Sequence, residues 1–151
     1  MTRMFRHPLF LIGLAIRVGL LVLVLPSATQ TWYAPFLAHS LEAFSLDPWS
    51  AYLAMGGDPL AFPYGYAMWL AFMPLGALTS LVGLPTAAGY GLTLLLADVA
   101  LLYALRRLTD VTDGTILALY WLSPIILFAT YWLGLNDLLP ILLLILGLVA
   151  L

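Results

Sequence analysis

From Gly114 to Leu151 the chain carries a single charge, Asp137, in an otherwise apolar run. As one helix at about 1.5 Å per residue, that run would be roughly 57 Å long, nearly double the ~30 Å hydrocarbon core of a bilayer. It therefore has to fold back on itself. The string LGLNDLLP supplies Gly134, Asn136 and Pro140 as chain-reversing residues around the charge. Asp137 is expected at a turn between two helices at a membrane surface, because turn backbone has no hydrogen-bond partners in hydrocarbon. An acid so placed is a candidate for function.

The composition, 64% hydrophobic and 8% charged, lies outside the soluble globular range and predicts an all-α, polytopic helical membrane protein. Only five arginines and no lysine are present, which excludes a nucleic-acid footprint, since phosphate binding needs clustered cations. The absence of cysteine removes disulfides and thiolate chemistry together. Arg3 and Arg6 precede the apolar stretch Leu9 to Leu25 as they would in a signal peptide, but Arg17 interrupts that stretch and no A-x-A site follows. A retained first span is expected, with a cytoplasmic N-terminus by the positive-inside rule, in the plasma (inner) membrane if the source is bacterial. The closing string LILGLVAL has no polar flank. The chain is thus expected to be a single membrane module, residues 1–151, from the N-terminal part of a longer protein, with further helices from that chain or a partner subunit.

Four spans are expected, over about 8–25, 85–105, 115–133 and 138–151, with an outer loop bearing interfacial helices over 26–84. Between Pro26 and Pro63 the sequence has His39, Glu42, Asp47 and Asp58 but no basic residue, and its Trp and Tyr content suits a membrane interface. Ala34 to Phe44 predicts a short helix ending near Asp47-Pro48, since the residue before proline disfavours helix. Tyr66 to Leu84 is just long enough to span but contains Pro74, Gly76 and Gly83. If it spans, Arg106 and Arg107 fall outside and Asp137 lies opposite Asp47. If it is interfacial or re-entrant, both arginines are cytoplasmic and Asp137 joins Asp47 and Asp58 outside, which the charge rule favours.

Two ionisable residues, Arg17 and Asp98, fall inside expected spans, where each is expensive without a partner. Counted from the cytoplasmic helix ends they lie about 14 Å and about 12 Å deep, so an ion pair between the first two spans is expected. The alternative is that Arg17 snorkels or lines a polar cavity. On the outer face Asp47, Asp58 and Asp137 are the candidate acids for acid–base catalysis, with Asp58 and Asp137 also candidate metal ligands. Asp47 and Asp58 each precede proline, so turn initiation is the competing role. Asn136 is a second oxygen donor or a sugar hydrogen-bonder, and Trp49 and Tyr64 could stack on a sugar or hold the interface. His39 and Glu42, three apart, have usable ligand spacing, although such a pair more often faces water. No GxSxG, HExxH, P-loop or GxGxxG string occurs.

Arg17 in the first span, DPWSAYLAMGGDPLAFPYGYAMWLAFMPLGAL in the outer segment, LLADVALLYALRR and SPIILFATYWLGLNDLLPILLL together resemble the N-terminal third of the GT-C superfamily. These are integral membrane glycosyltransferases that use polyprenyl-phosphate-linked sugars, and the mannosyltransferase branch looks closest. The resemblance implies transfer of a sugar, such as mannose, from the lipid carrier to a glycan or lipid acceptor on the outer face. A carboxylate would take the acceptor proton while a divalent ion (Mg or Mn) or a basic group steadies the lipid phosphate. Asp137 matches the family's second outer-loop acid. The family's early first-loop acid is missing, because Thr31 and Trp32 stand in that neighbourhood, so its role moves to Asp47 or Asp58 or is lost. A non-catalytic membrane scaffold or lipid-binding subunit is the alternative, and a transporter a third reading, with Arg17 and Asp98 lining a polar path.

Overall fold

The computed structural model describes residues 2–150, so Met1, and Leu151 at the end of the expected final span, lie outside the described residues. The described chain is all helical: α1 (Thr2–Phe5), α2 (Pro8–Leu23), a π turn (Thr29–Tyr33) running into α3 (Ala34–Glu42), α4 (Pro48–Ala54), α5 (Tyr66–Leu81), α6 (Thr86–Leu108), α7 (Asp113–Ile116), α8 (Pro124–Ile126) and α9 (Leu138–Val149). π turns at Leu117–Trp121 and Leu127–Trp132 follow α7 and α8. Thr86–Leu108 and Asp113–Trp132 are long and apolar enough to cross a membrane, while Pro8–Leu23, Tyr66–Leu81 and Leu138–Val149 are shorter apolar helices. Two compact units form, Met1–Leu25 with Leu94–Leu151, and Pro26–Thr93. They are called the first and second unit below.

In the first unit, the Phe10 ring stacks on Trp121 at 5.0 Å and the Trp121 indole donates to the Phe10 carbonyl at 3.0 Å. This contact requires a glycine one turn on, since a Cβ at Gly13 would lie 2.3 Å from the Trp121 indole nitrogen. Met4, Leu102, Ile116 and Leu117 complete the apolar core. The polarity of the unit is otherwise inverted. Arg17, Asp98, Thr130 and Asn136 are buried, while Leu11, Val22, Leu23, Leu119, Ile125, Phe128 and Leu144 are exposed.

Pro124 explains the break after α7. It has no N–H to offer the Tyr120 carbonyl, which accepts from Ser123 instead at 3.1 Å, while the Leu122 amide reaches five residues back to Leu117 at 2.9 Å. The helical path ends at Gly134, whose φ of 84° is a left-handed conformation that favours glycine. α9 then starts at Leu138 with Pro140 in its first turn, where a missing N–H costs no helical bond. At the other end of the unit, Arg106 pairs with Asp113 at 2.6 Å across the α6–α7 connection.

The second unit has an aromatic core. Phe36 stacks on Phe62 at 5.0 Å, Phe72 on Tyr90 at 4.5 Å and Tyr33 on Tyr90 at 5.1 Å. Sequence pattern suggested interruptions at Pro74, Gly76 and Gly83, but α5 is continuous through the first two. A mid-helix proline removes the bond its own N–H would make and crowds the carbonyl four residues back, and α5 continues despite both. The crossing with α6 depends on Gly89 instead, because a Cβ there would come within 2.4 Å of the Leu75 carbonyl and 2.6 Å of the Gly76 backbone. Gly83 does stop the helix. With φ 76° it closes a Schellman cap in which Leu84 N–H donates to Thr79 at 2.9 Å and Gly83 N–H to Ser80 at 3.1 Å.

Candidate functional site

The most developed polar arrangement in the first unit surrounds Asp98. Arg17 Nε donates to Asp98 Oδ2 at 2.7 Å, with both side chains fully buried. Tyr131 Oη donates to the same oxygen at 2.8 Å and Tyr120 Oη to Oδ1 at 2.6 Å. The guanidinium lies over the Trp121 ring, 3.5 Å from its centroid, and Nη1 donates to the Trp121 carbonyl at 2.7 Å and to the Gly13 carbonyl at 3.2 Å. The Trp121 carbonyl is available because the Pro124 break interrupts the helical ladder at this point. Arg17 Nη2 is buried without a partner among the described residues. A buried pair persists when its remaining lone pairs and protons are largely satisfied, and two phenols with two carbonyls do this here. The pair thus acts as a pin joining α2, α6 and the Asp113–Trp132 segment.

The Asn136–Asp137 loop is the second feature. Asp137 is exposed at the N-cap of α9, where its side chain caps no helical amide. Its carboxylate makes no hydrogen bond within the described first unit; its backbone carbonyl accepts from Ile141 at 3.2 Å. The Asn136 side chain beside it is completely buried, and both its Oδ1 and Nδ2 lack partners among the described residues. Burying an amide unpaired costs free energy, so a natural protein keeps such a group for a reason. Together they form an acceptor carboxylate next to an uncommitted amide, at a helix N-terminus that favours anionic groups.

The acids of the second unit are differently occupied. Asp47 caps α4, accepting from Ser50 N–H at 3.1 Å. Hydrogen bonding from Ser50, with a further contribution from the Trp49 backbone, holds its carboxyl below the usual carboxylate range. Asp58 Oδ1 accepts from Leu60 N–H at 2.8 Å around Pro59, the local turn bond that Asp-Pro sequences make. Both carboxylates are exposed, so each retains free acceptor capacity. Trp49 donates its indole N–H to the Phe62 carbonyl at 2.7 Å and packs edge-on against Tyr66 at 4.8 Å. Tyr64 Oη meets Tyr33 Oη at 3.3 Å. His39 sits beside Tyr52 with its Nε2 buried and unpaired, while Glu42 is exposed on the same helix.

Asp58 belongs to the second unit and Asp137 to the first. Among the described residues no three His, Asp or Glu side chains gather to hold a metal ion. Sequence reasoning missed Tyr120, Trp121 and Tyr131. Two phenols in an apolar, otherwise uncharged stretch at the depth of a buried ion pair were the available signal. No family model matches the chain, and no curated protein or solved structure matches it.

Proposed function

We propose that the chain is an integral membrane module of a glycosyltransferase that moves a sugar from a polyprenyl-phosphate carrier to an outer-face acceptor, with Asp137 as its essential acid. Two long apolar helices support the membrane part, as does the inside-out polarity of the first unit, where a charged pair is sealed within and large aliphatic side chains face outward. Water would penalise that surface and lipid does not. The proposed arrangement has four spans, with the N-terminus and the α6–α7 connection cytoplasmic and Asp137 outside.

The observation that carries the enzymatic part is the contrast among the acids. Asp47 and Asp58 each give an oxygen to local backbone, whereas Asp137 is exposed with no capping bond of its own, beside an amide with both polar atoms unspent. A carboxylate in that state can accept the proton of an acceptor hydroxyl, whereas the buried Asn136 amide would reach a sugar oxygen only if the loop opened. The competing reading, a non-catalytic scaffold or lipid-binding subunit, is favoured by the structural employment of Trp49 and Tyr64.

The test is sugar transfer from a polyprenyl-phosphate donor by membranes carrying the protein. Asp137→Asn, expressed at the wild-type level, is expected to lose transfer by about 100-fold or more, the contribution of one positioned acid or base. Full activity in that variant would end the catalytic assignment.

A further inference from the structure

Four of the five arginines lie at helix ends of the first unit: Arg3 within the short α1, Arg6 just after it, and Arg106 and Arg107 in the last turn of α6. The two regions are distant in sequence, but Met4 of α1 joins Tyr103, Arg106, Arg107 and Asp113 in lining one cavity of about 260 Å³. The arginines in it are not equivalent. Arg106 is committed, with Nε on Asp113 at 2.6 Å and Nη1 on the Thr109 carbonyl at 3.1 Å. Arg107 is exposed, has no carboxylate partner among the described residues, and is oriented by the Tyr103 hydroxyl, which accepts from Nη2 at 2.8 Å.

We propose that this cavity holds the phosphodiester of an anionic phospholipid headgroup, with Arg107 as the main contact and Arg106 as the second. Arginine presents a planar fork that matches two phosphate oxygens. Asp113 offsets one cation, that of Arg106, and leaves the charge of Arg107 for the ligand. Met4 adds an apolar wall suited to the glycerol carbons. A lipid fits better than free phosphate because the cavity lies where the long apolar helix α6 ends, close to the start of the shorter apolar helix α2, and basic residues at such ends meet the anionic cytoplasmic leaflet. This rests on the membrane reading above but not on the catalytic one.

The test uses the whole chain reconstituted in phosphatidylcholine bilayers, comparing spin-labelled phosphatidylglycerol with spin-labelled phosphatidylcholine for motional restriction by the protein. The wild type is expected to prefer phosphatidylglycerol several-fold. Arg107→Gln should lower that preference by about fivefold, the worth of one basic side chain near an anionic surface, and Arg107→Lys should keep part of it. Helix content measured on the same samples confirms that the variants are folded. Equal retention of the two lipids by the wild type would overturn the site, as would an unchanged preference in folded Arg107→Gln. Release of phosphatidylglycerol by millimolar inorganic phosphate, beyond the effect of chloride at equal ionic strength, would overturn the lipid assignment in favour of a free anion. Alkaline carbonate extraction separates the two claims: a chain that washes off contradicts the membrane reading, and one that stays without lipid preference contradicts the headgroup site alone.

Discussion

At the residue scale the first unit depends on Arg17 and Asp98, two charges with no exposure at all. Removing one partner leaves the other buried and uncompensated, so Arg17→Leu or Asp98→Asn alone is expected to cost about 3–5 kcal/mol. Replacing both by apolar residues of similar volume, as in Arg17→Met with Asp98→Leu, should recover most of that loss. Reversible unfolding in detergent micelles measures it, and two harmless single variants would contradict the pin. The two charges were legible in the sequence because they interrupt apolar runs at matching depth. Tyr120 and Tyr131 left only the weaker signal of two phenols in an apolar stretch, because a neutral side chain does not demand a partner as a charge does; their hydroxyls lie 2.6 and 2.8 Å from the carboxylate. Asp47 and Asp58 could be read two ways from their Asp-Pro context, and the structure shows the turn-forming role at each without exhausting their oxygens.

At the scale of elements, glycine and proline were the least legible residues, because one residue type serves opposite ends. Gly83 terminates α5 through its left-handed backbone, whereas Gly76 lies within the same helix, where Gly89 of α6 comes up against its backbone. Sequence pattern treats both as breakers, and only the position of the neighbouring helix distinguishes them. The close approach predicts that Gly89→Ala, whose new Cβ would meet the Leu75 carbonyl at 2.4 Å, destabilises the second unit by about 1–3 kcal/mol through forced separation of the backbones. Gly19→Ala is the matched control, since a Cβ at Gly19 in α2 meets nothing within 4 Å. It should be neutral or stabilising, as alanine is the better helix former. Equal effects of the two substitutions on the unfolding midpoint would contradict the close crossing.

For the whole molecule, the all-helical class was legible from composition and run lengths, because a chain with so little charge has few other ways to satisfy its backbone in lipid. Helix positions followed from the same runs: the segment expected over 85–105 is Thr86–Leu108, and that expected over 115–133 corresponds to Asp113–Trp132, with the Pro124 break inside it. The relation of the two acid-bearing regions to the membrane depends on whether Tyr66–Leu81 crosses it, which helix length alone does not decide. Membrane sidedness does decide it, and the cysteine-free chain allows single thiols to be introduced at Leu46, Val111 and Leu135 without other changes. The account predicts that a membrane-impermeant thiol reagent added outside labels Leu46→Cys and Leu135→Cys, while Val111→Cys is labelled only after the membrane is opened. Outside labelling of Leu46→Cys and Val111→Cys with Leu135→Cys protected would mean that Tyr66–Leu81 crosses the membrane, and would place Asp137 on the wrong side for the proposed chemistry.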